Sequence, residues 1–166
     1  IYTARNTITQ RMEGPQSTAS VLIDLSGMKE GDVAGFSAFN SDSAVLGVEM
    51  KDGAKTLVLT EESVRLHPHN KAVLDVKKKI VAEVPLKKDR IWLRIDADFR
   101  PGDTRDIAKL WYSLDGKEWT RIGDDYRMRF DWQRFFMGTK FAIFNYTTAE
   151  EGGYIDIDWF RYKRNN

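Results

Sequence analysis

Between Arg90 and Phe99 the chain alternates without a break. Ile91, Leu93, Ile95, Ala97 and Phe99 share one parity, and Arg90, Trp92, Arg94, Asp96 and Asp98 share the other. Successive side chains of extended backbone point to opposite faces, so a period of two describes a strand with one buried and one wet face. A sheet built from such strands must lay its apolar face on a second layer. Val21, Ile23 and Leu25 repeat the alternation ahead of Ser26-Gly27, and Lys140-Phe-Ala-Ile-Phe-Asn-Tyr146 is rich in residues that suit pleated backbone. These three runs read as central strands.

Turn chemistry divides the remainder into short segments. Asp115-Gly116, between Trp111-Tyr-Ser-Leu114 and Glu118-Trp-Thr-Arg-Ile122, predicts a tight two-residue hairpin, because that dipeptide tolerates positive φ. Further breaks fall at Glu30-Gly31-Asp32, Lys51-Asp52-Gly53, Pro101-Gly102-Asp103 and Glu151-Gly152-Gly153. Val73, Val76, Ile80 and Val84 also fit helical spacing. A strand closed by Pro85 agrees better with the uniform pattern around it. Lys77-Lys78-Lys79 reads as a solvated sheet edge. The fold class is therefore all-β, a two-sheet antiparallel β-sandwich, with residues 1–166 as a single domain. Nine Phe, six Tyr and five Trp are enough to fill its core.

Lys and Arg total 26 against 25 Asp and Glu, so the net field is too weak to attract a phosphate backbone, and nucleic acid is not an expected partner. No apolar run approaches the ~20 residues of a bilayer span, so no membrane partner is expected. With no cysteine, disulfides and thiolate sites are excluded, while the compartment stays open. The chain opens Ile1-Tyr2-Thr3 in an extended-looking segment, as expected of a fragment whose activity lies on a neighbouring domain.

Candidate chemistry is sparse. Asp96 with Asp98, and Asp156 with Asp158, have the spacing that puts two carboxylates on one strand face, as a glycosidase would need. Arg94 and Arg161 stand nearby, so ion pairing on a wet face is the favoured reading. Glu61-Glu62, Asp124-Asp125 and Glu150-Glu151 lie beside turn-like segments and are weak candidates. His67 and His69 flank Pro68, and two imidazoles without a third ligand make a surface turn rather than a metal centre. Trp132, Phe135 and Phe136 precede the Phe141–Phe144 strand. Either Phe135 and Phe136 enter the core, one on each side of a strand, or the aromatics stay exposed to meet a sugar face or a partner surface.

Four segments occur in order: Ala4-Arg-Asn-Thr-Ile-Thr-Gln-Arg11 with Glu13-Gly-Pro15, Asp24 to Phe36, Tyr112-Ser-Leu-Asp-Gly-Lys-Glu-Trp119, and Gly152-Gly-Tyr-Ile-Asp-Ile-Asp-Trp-Phe-Arg161. Together they resemble the carboxy-terminal domain of glycoside hydrolase family 43 β-xylosidases and α-L-arabinofuranosidases. The resemblance implies a concanavalin A-like jelly roll that follows a five-bladed catalytic propeller. It also implies that the chain starts inside its own domain, without the propeller and the first sandwich strands. The expected role is an accessory domain in xylan or arabinan breakdown, inactive alone, packing on the propeller of the same polypeptide and shaping its pocket. Trp132, Phe135 and Phe136 are the corresponding candidates for contact with that pocket or that domain.

An independent carbohydrate-binding module for xylan or arabinan is the alternative, and a self-contained glycosidase using Asp96 and Asp98 is a weaker third. Asp158, with Glu13 as partner, is similar to the acid that holds a structural calcium in some sugar-binding jelly rolls. Around Asn40 to Gly47 the chain departs from the family, with Ser41-Asp-Ser-Ala-Val45 in place of an aromatic and a glycine, which argues against a sugar groove there.

Overall fold

The computed structural model describes residues 1–102 and 106–165, and Asp103 of the turn expected at Pro101-Gly102-Asp103 lies outside that set. Its strands are β1 (Asn6–Arg11), β2 (Gln16–Asp24), β3 (Asp32–Phe39), β4 (Asp42–Lys51), β5 (Ala54–Leu66) and β6 (Val73–Leu86), followed by β7 (Arg90–Asp98), β8 (Ile107–Ser113), β9 (Thr120–Arg121), β10 (Tyr126–Arg127), β11 (Lys140–Thr147) and β12 (Asp156–Asn165). They form two antiparallel sheets. One runs β1-β11-β3-β4-β5-β6. The other runs β10-β8-β7-β2-β12, with β9 pairing on β8. This is the expected sandwich, and β7 and β2 stand at the centre of their sheet.

Burial follows the alternation. Ile91, Leu93 and Ile95 of β7 and Ala19, Val21 and Ile23 of β2 face inward and are buried. They meet Phe36 of β3, Leu46 of β4 and Phe141 of β11. Phe36 stacks on Phe141 at 5.9 Å within its own sheet and meets Phe160 of the opposite sheet edge-on at 6.2 Å. The wet face of β7 carries Arg94, which lies over the rings of Trp111 and Trp119. Those indoles are thereby shielded by a guanidinium that stays hydrated at its rim.

Val73–Leu86 is a strand, as read from the sequence, and it continues through Pro85. Because β6 is an edge strand, the missing proline N–H breaks no ladder on its open side. The hairpin assignment changes. The two-residue turn is Asp52-Gly53, with φ of 51° and 72°, closing the Lys51↔Ala54 pair. Asp115-Gly116 sits instead in a wider loop, since Tyr112 pairs with Thr120. There Ser113 Oγ accepts from Gly116 N at 2.9 Å, and Asp115 Oδ1 accepts from Lys117 N and Glu118 N at 2.8 and 2.9 Å. Side-chain acceptors satisfy the loop backbone, so a wider connection needs no tight turn.

Gly35 of β3 pairs with Gly47 of β4, and a Cβ at Gly35 would lie 2.1 Å from the Leu46 carbonyl oxygen. Gly35→Ala should therefore destabilise the fold by about 1–3 kcal/mol through overpacking. Gly138→Ala, with nothing within 4 Å, should not. Urea unfolding of the two variants checks the contrast.

Candidate functional site

The connection from β10 to β11 passes from one sheet to the other across an end of the sandwich. Arg134 holds it. Its Nη1 donates to Asp42 Oδ1, Ser63 Oγ and the Val64 carbonyl, each at 3.0 Å, and its Nη2 donates to Asp42 Oδ2 at 3.1 Å. Within the loop, Nε donates to Asp131 Oδ2 at 2.5 Å. The planar guanidinium thus spends its donors on two carboxylates, a hydroxyl and a carbonyl. Those bonds hold the Asp131 carboxyl below its ordinary pKa. The Asp131–Phe135 stretch is a single turn, closed by Phe135 N to Asp131 O at 3.1 Å.

That turn separates the three aromatic candidates. Phe135 is half-buried, its ring 6.2 Å from Phe39 and 6.3 Å from Tyr2. Trp132 and Phe136 point outward, 65% and 84% exposed, and Phe130, 61% exposed, meets Phe136 edge-on at 5.9 Å. The two phenylalanines diverge because of a helical turn and not because of strand alternation. Phe130 and Arg134 were not singled out from the sequence. The Asp131-x-x-Arg134 spacing was the available signal for the clamp, but its second carboxylate, Asp42, lies far away in the chain.

The outward face of the β1-to-β6 sheet is partly covered by the first residues of the chain. Ile1, 9% exposed, packs with Val45, Ala142 and Phe144. The Tyr2 hydroxyl lies 2.9 Å from Ser43 Oγ and 3.1 Å from the Ser41 carbonyl oxygen, and burial pushes its pKa up. Glu62 is 4% exposed and pairs with Lys78 at 3.1 Å. Burial works against the Lys78 charge, but the Glu62 carboxylate and the nearby Tyr146 phenol outweigh it and raise its pKa. Tyr146 is on β11, four strands from β6, so the sheet curls over this face. Glu61-Glu62 was expected beside a turn. Both residues lie well within β5.

Asp96, Asp98 and Asp158 each pair with an arginine, while Asp156 is exposed at the start of β12. Asp96 accepts from Arg94 at 2.7–3.2 Å and from Thr18 Oγ1 at 2.8 Å. Asp98 accepts from Arg100 and from Gln16, and chiefly the Arg100 bond brings its pKa to about 2. A carboxyl so strongly ionised cannot serve as a general acid near neutral pH. Asp158 sits at a bulge in β12 that breaks its face-sharing with Asp156, and it pairs with Arg90. Arg161, expected to be its neighbour, stacks on Trp159 at 4.2 Å. The His67 and His69 rings stand 5.7 Å apart in a turn where His67 Nδ1 accepts from His69 N at 3.4 Å.

Glu13 and Asp158 do not fit one calcium. The β2–β12 register puts Asp158 beside Leu22 and Ile23, whereas Glu13 precedes Gln16 at the other end of the pair, roughly 20 Å away at strand rise. Glu13 lies instead near the Tyr162 phenol, whose pKa is raised by burial first and by the Glu13 charge second. Among the described residues no three His, Cys, Asp or Glu side chains gather as a metal site.

Residues 2–163 match the sequence profile of the β-xylosidase C-terminal concanavalin A-like domain. The chain belongs to that family. Within it, this sandwich is the C-terminal domain of glycoside hydrolase family 43 enzymes and not their catalytic domain. A β-xylosidase of Formosa agariphila is 29% identical over 162 residues, covering 97% of this chain and 24% of that protein. A bifunctional GH43-CE protein of Bacteroides eggerthii superposes with a TM-score of 0.83 at 37% identity, over 98% of this chain and 19% of that one. A GH43 glycoside hydrolase engineered to display both endo-xylanase and exo-arabinofuranosidase activity gives 0.85 at 29% identity, over 98% and 32%. The chain therefore spans between about a fifth and a third of the length of these relatives, in which such a domain accompanies a catalytic one.

Two outcomes are expected from this geometry. Arg134→Ala should speed amide hydrogen exchange across residues 130–138 at least about tenfold while leaving β7 protected, because loop opening is local. A chelator should leave the melting temperature unchanged, because Asp158 already has Arg90 as its counter-charge; a fall of several degrees would sink that reading.

Proposed function

We propose that this chain is a non-catalytic accessory domain that docks on a catalytic propeller of the same polypeptide through Phe130, Trp132 and Phe136, and so walls one side of a substrate pocket for xylan- or arabinan-derived oligosaccharides. The observation that carries the proposal is the presentation of three exposed rings on a loop clamped by Arg134. Large apolar side chains held outward from a rigid base lose little entropy on contact, and such anchors dominate interface energetics. Positions on either side of the rings carry Arg129, Asp131 and Gln133, which suits a polar rim. The names of the relatives supply the substrate class.

An independent glycan-binding module would need an open platform, and the curled face of the β1-to-β6 sheet is covered in part by Ile1 and Tyr2. That favours docking over free binding. The test uses the longer polypeptide that carries this domain. Trp132→Ala with Phe136→Ala should lower kcat/KM on xylo- or arabino-oligosaccharides by at least about tenfold, given that hot-spot truncations cost 2 kcal/mol or more, while the sandwich keeps its melting temperature. The isolated chain should hydrolyse no aryl xyloside or arabinoside. Saturable binding of neutral oligosaccharides to the isolated chain, lost in the same double variant, would instead establish the module.

A further inference from the structure

A cleft of about 590 Å3 lies between the β5–β6 edge and the β10 segment. This size suits a small ligand of a few rings. Five cations line it: Lys77, Lys78, Lys79, Arg127 and Arg129. Four carboxylates line it as well, and each already has a counter-charge. Glu62 pairs with Lys78 and Glu61 with Lys79 inside the cleft. Asp125 is taken by Arg121 and Asp42 by Arg134, both from outside the lining. Lys77, Arg127 and Arg129 therefore face the cleft with no lining carboxylate to answer them.

The geometry points to a binding site for an anionic sugar substituent, a carboxylate or sulfate ester carried on an oligosaccharide. An arginine pair beside a lysine matches such groups, since guanidinium forks engage two oxygens at once and ammonium adds a point charge. Hydroxyls of the same ligand can donate to the carboxylates on the walls, whose outer lone pairs remain available at the more exposed Glu61 and Asp125. A glycan is the ligand class because of where the cleft opens. Asp42 and Arg129 also line the depression beneath Trp132, so the cleft is continuous with the aromatic face. An oligosaccharide lying in the pocket that this face walls reaches the cleft with its next units. The triple-lysine run then has a second use beyond blunting an edge strand.

The proposal takes its ligand class from the accessory-domain reading and shares only Arg129 with its polar rim, while Lys77 and Arg127 lie outside that surface, so the two fail separately. The isolated chain is titrated calorimetrically with a glucuronate-bearing xylo-oligosaccharide, a sulfated xylo-oligosaccharide and the neutral parent. At least one anionic ligand should bind about tenfold or more tightly than the neutral one, with affinity falling steeply as salt is added. Binding of only the uronate, only the sulfate ester, or both, identifies the source of the charge, and each supports the site. Combined Lys77→Gln, Arg127→Gln and Arg129→Gln should remove the preference with the melting temperature unchanged, while Trp132→Ala with Phe136→Ala retains it. Equal affinity for neutral and anionic ligands, no binding of either anionic ligand, or a preference that survives the triple change, would overturn the site.

Discussion

Everything in this fold hangs on one constraint, that the apolar faces of β2 and β7 must be covered. Their alternation leaves Ala19, Val21, Ile23, Ile91, Leu93 and Ile95 on a single side, and burying them demands an opposing layer of matching width. Sheet β1-β11-β3-β4-β5-β6 supplies that layer through Phe36, Leu46 and Phe141. Once the two sheets are stacked, every connection that changes sheet must cross an end of the sandwich. The β10–β11 segment is one such connection, and its position at the rim follows from the core rather than from its own residues.

Polar groups then decide what each surface can do. Arg134 unites Asp131 in its own loop with Asp42 of β4 and Ser63 and Val64 of β5, so the crossing segment is tied to the sheet it is about to join. With that anchor and the Phe135 ring seated near Phe39, the neighbouring aromatics have nowhere to go but outward. On the curled face the opposite happens. Tyr2 is bonded to Ser43, and Glu62 is paired with Lys78, so polar groups there are turned toward the protein itself. A clamp exposes aromatics in one place, and a charge pair draws Glu62 into the sheet in another. Accessory docking at the loop is the reading that agrees with both.

Strands with strict alternation were legible because the signal is local: β7, β2 and β11 appear where the pattern puts them, and even the ambiguous Val73–Val84 run is a strand. Turn dipeptides were less informative. Asp52-Gly53 and Asp115-Gly116 look alike in sequence, yet only the first makes a tight hairpin, since strand register and not the dipeptide sets how many residues bridge two strands. Carboxylate pairs were legible as wet-face acids, although Asp158 found Arg90 across the sheet in place of nearby Arg161. Glu62 was hidden altogether, since nothing local distinguishes a buried glutamate from its exposed neighbour.

From the linear pattern alone follow the all-β class and the two-layer architecture, because periodicity and turn chemistry are properties of short segments. The fates of Trp132, Phe135 and Phe136, the separation of Glu13 from Asp158, and the clustering of Lys77, Arg127 and Arg129 belong to tertiary structure. Each depends on which distant strand lies alongside, and pairing between residues tens of positions apart is settled only when the whole core closes.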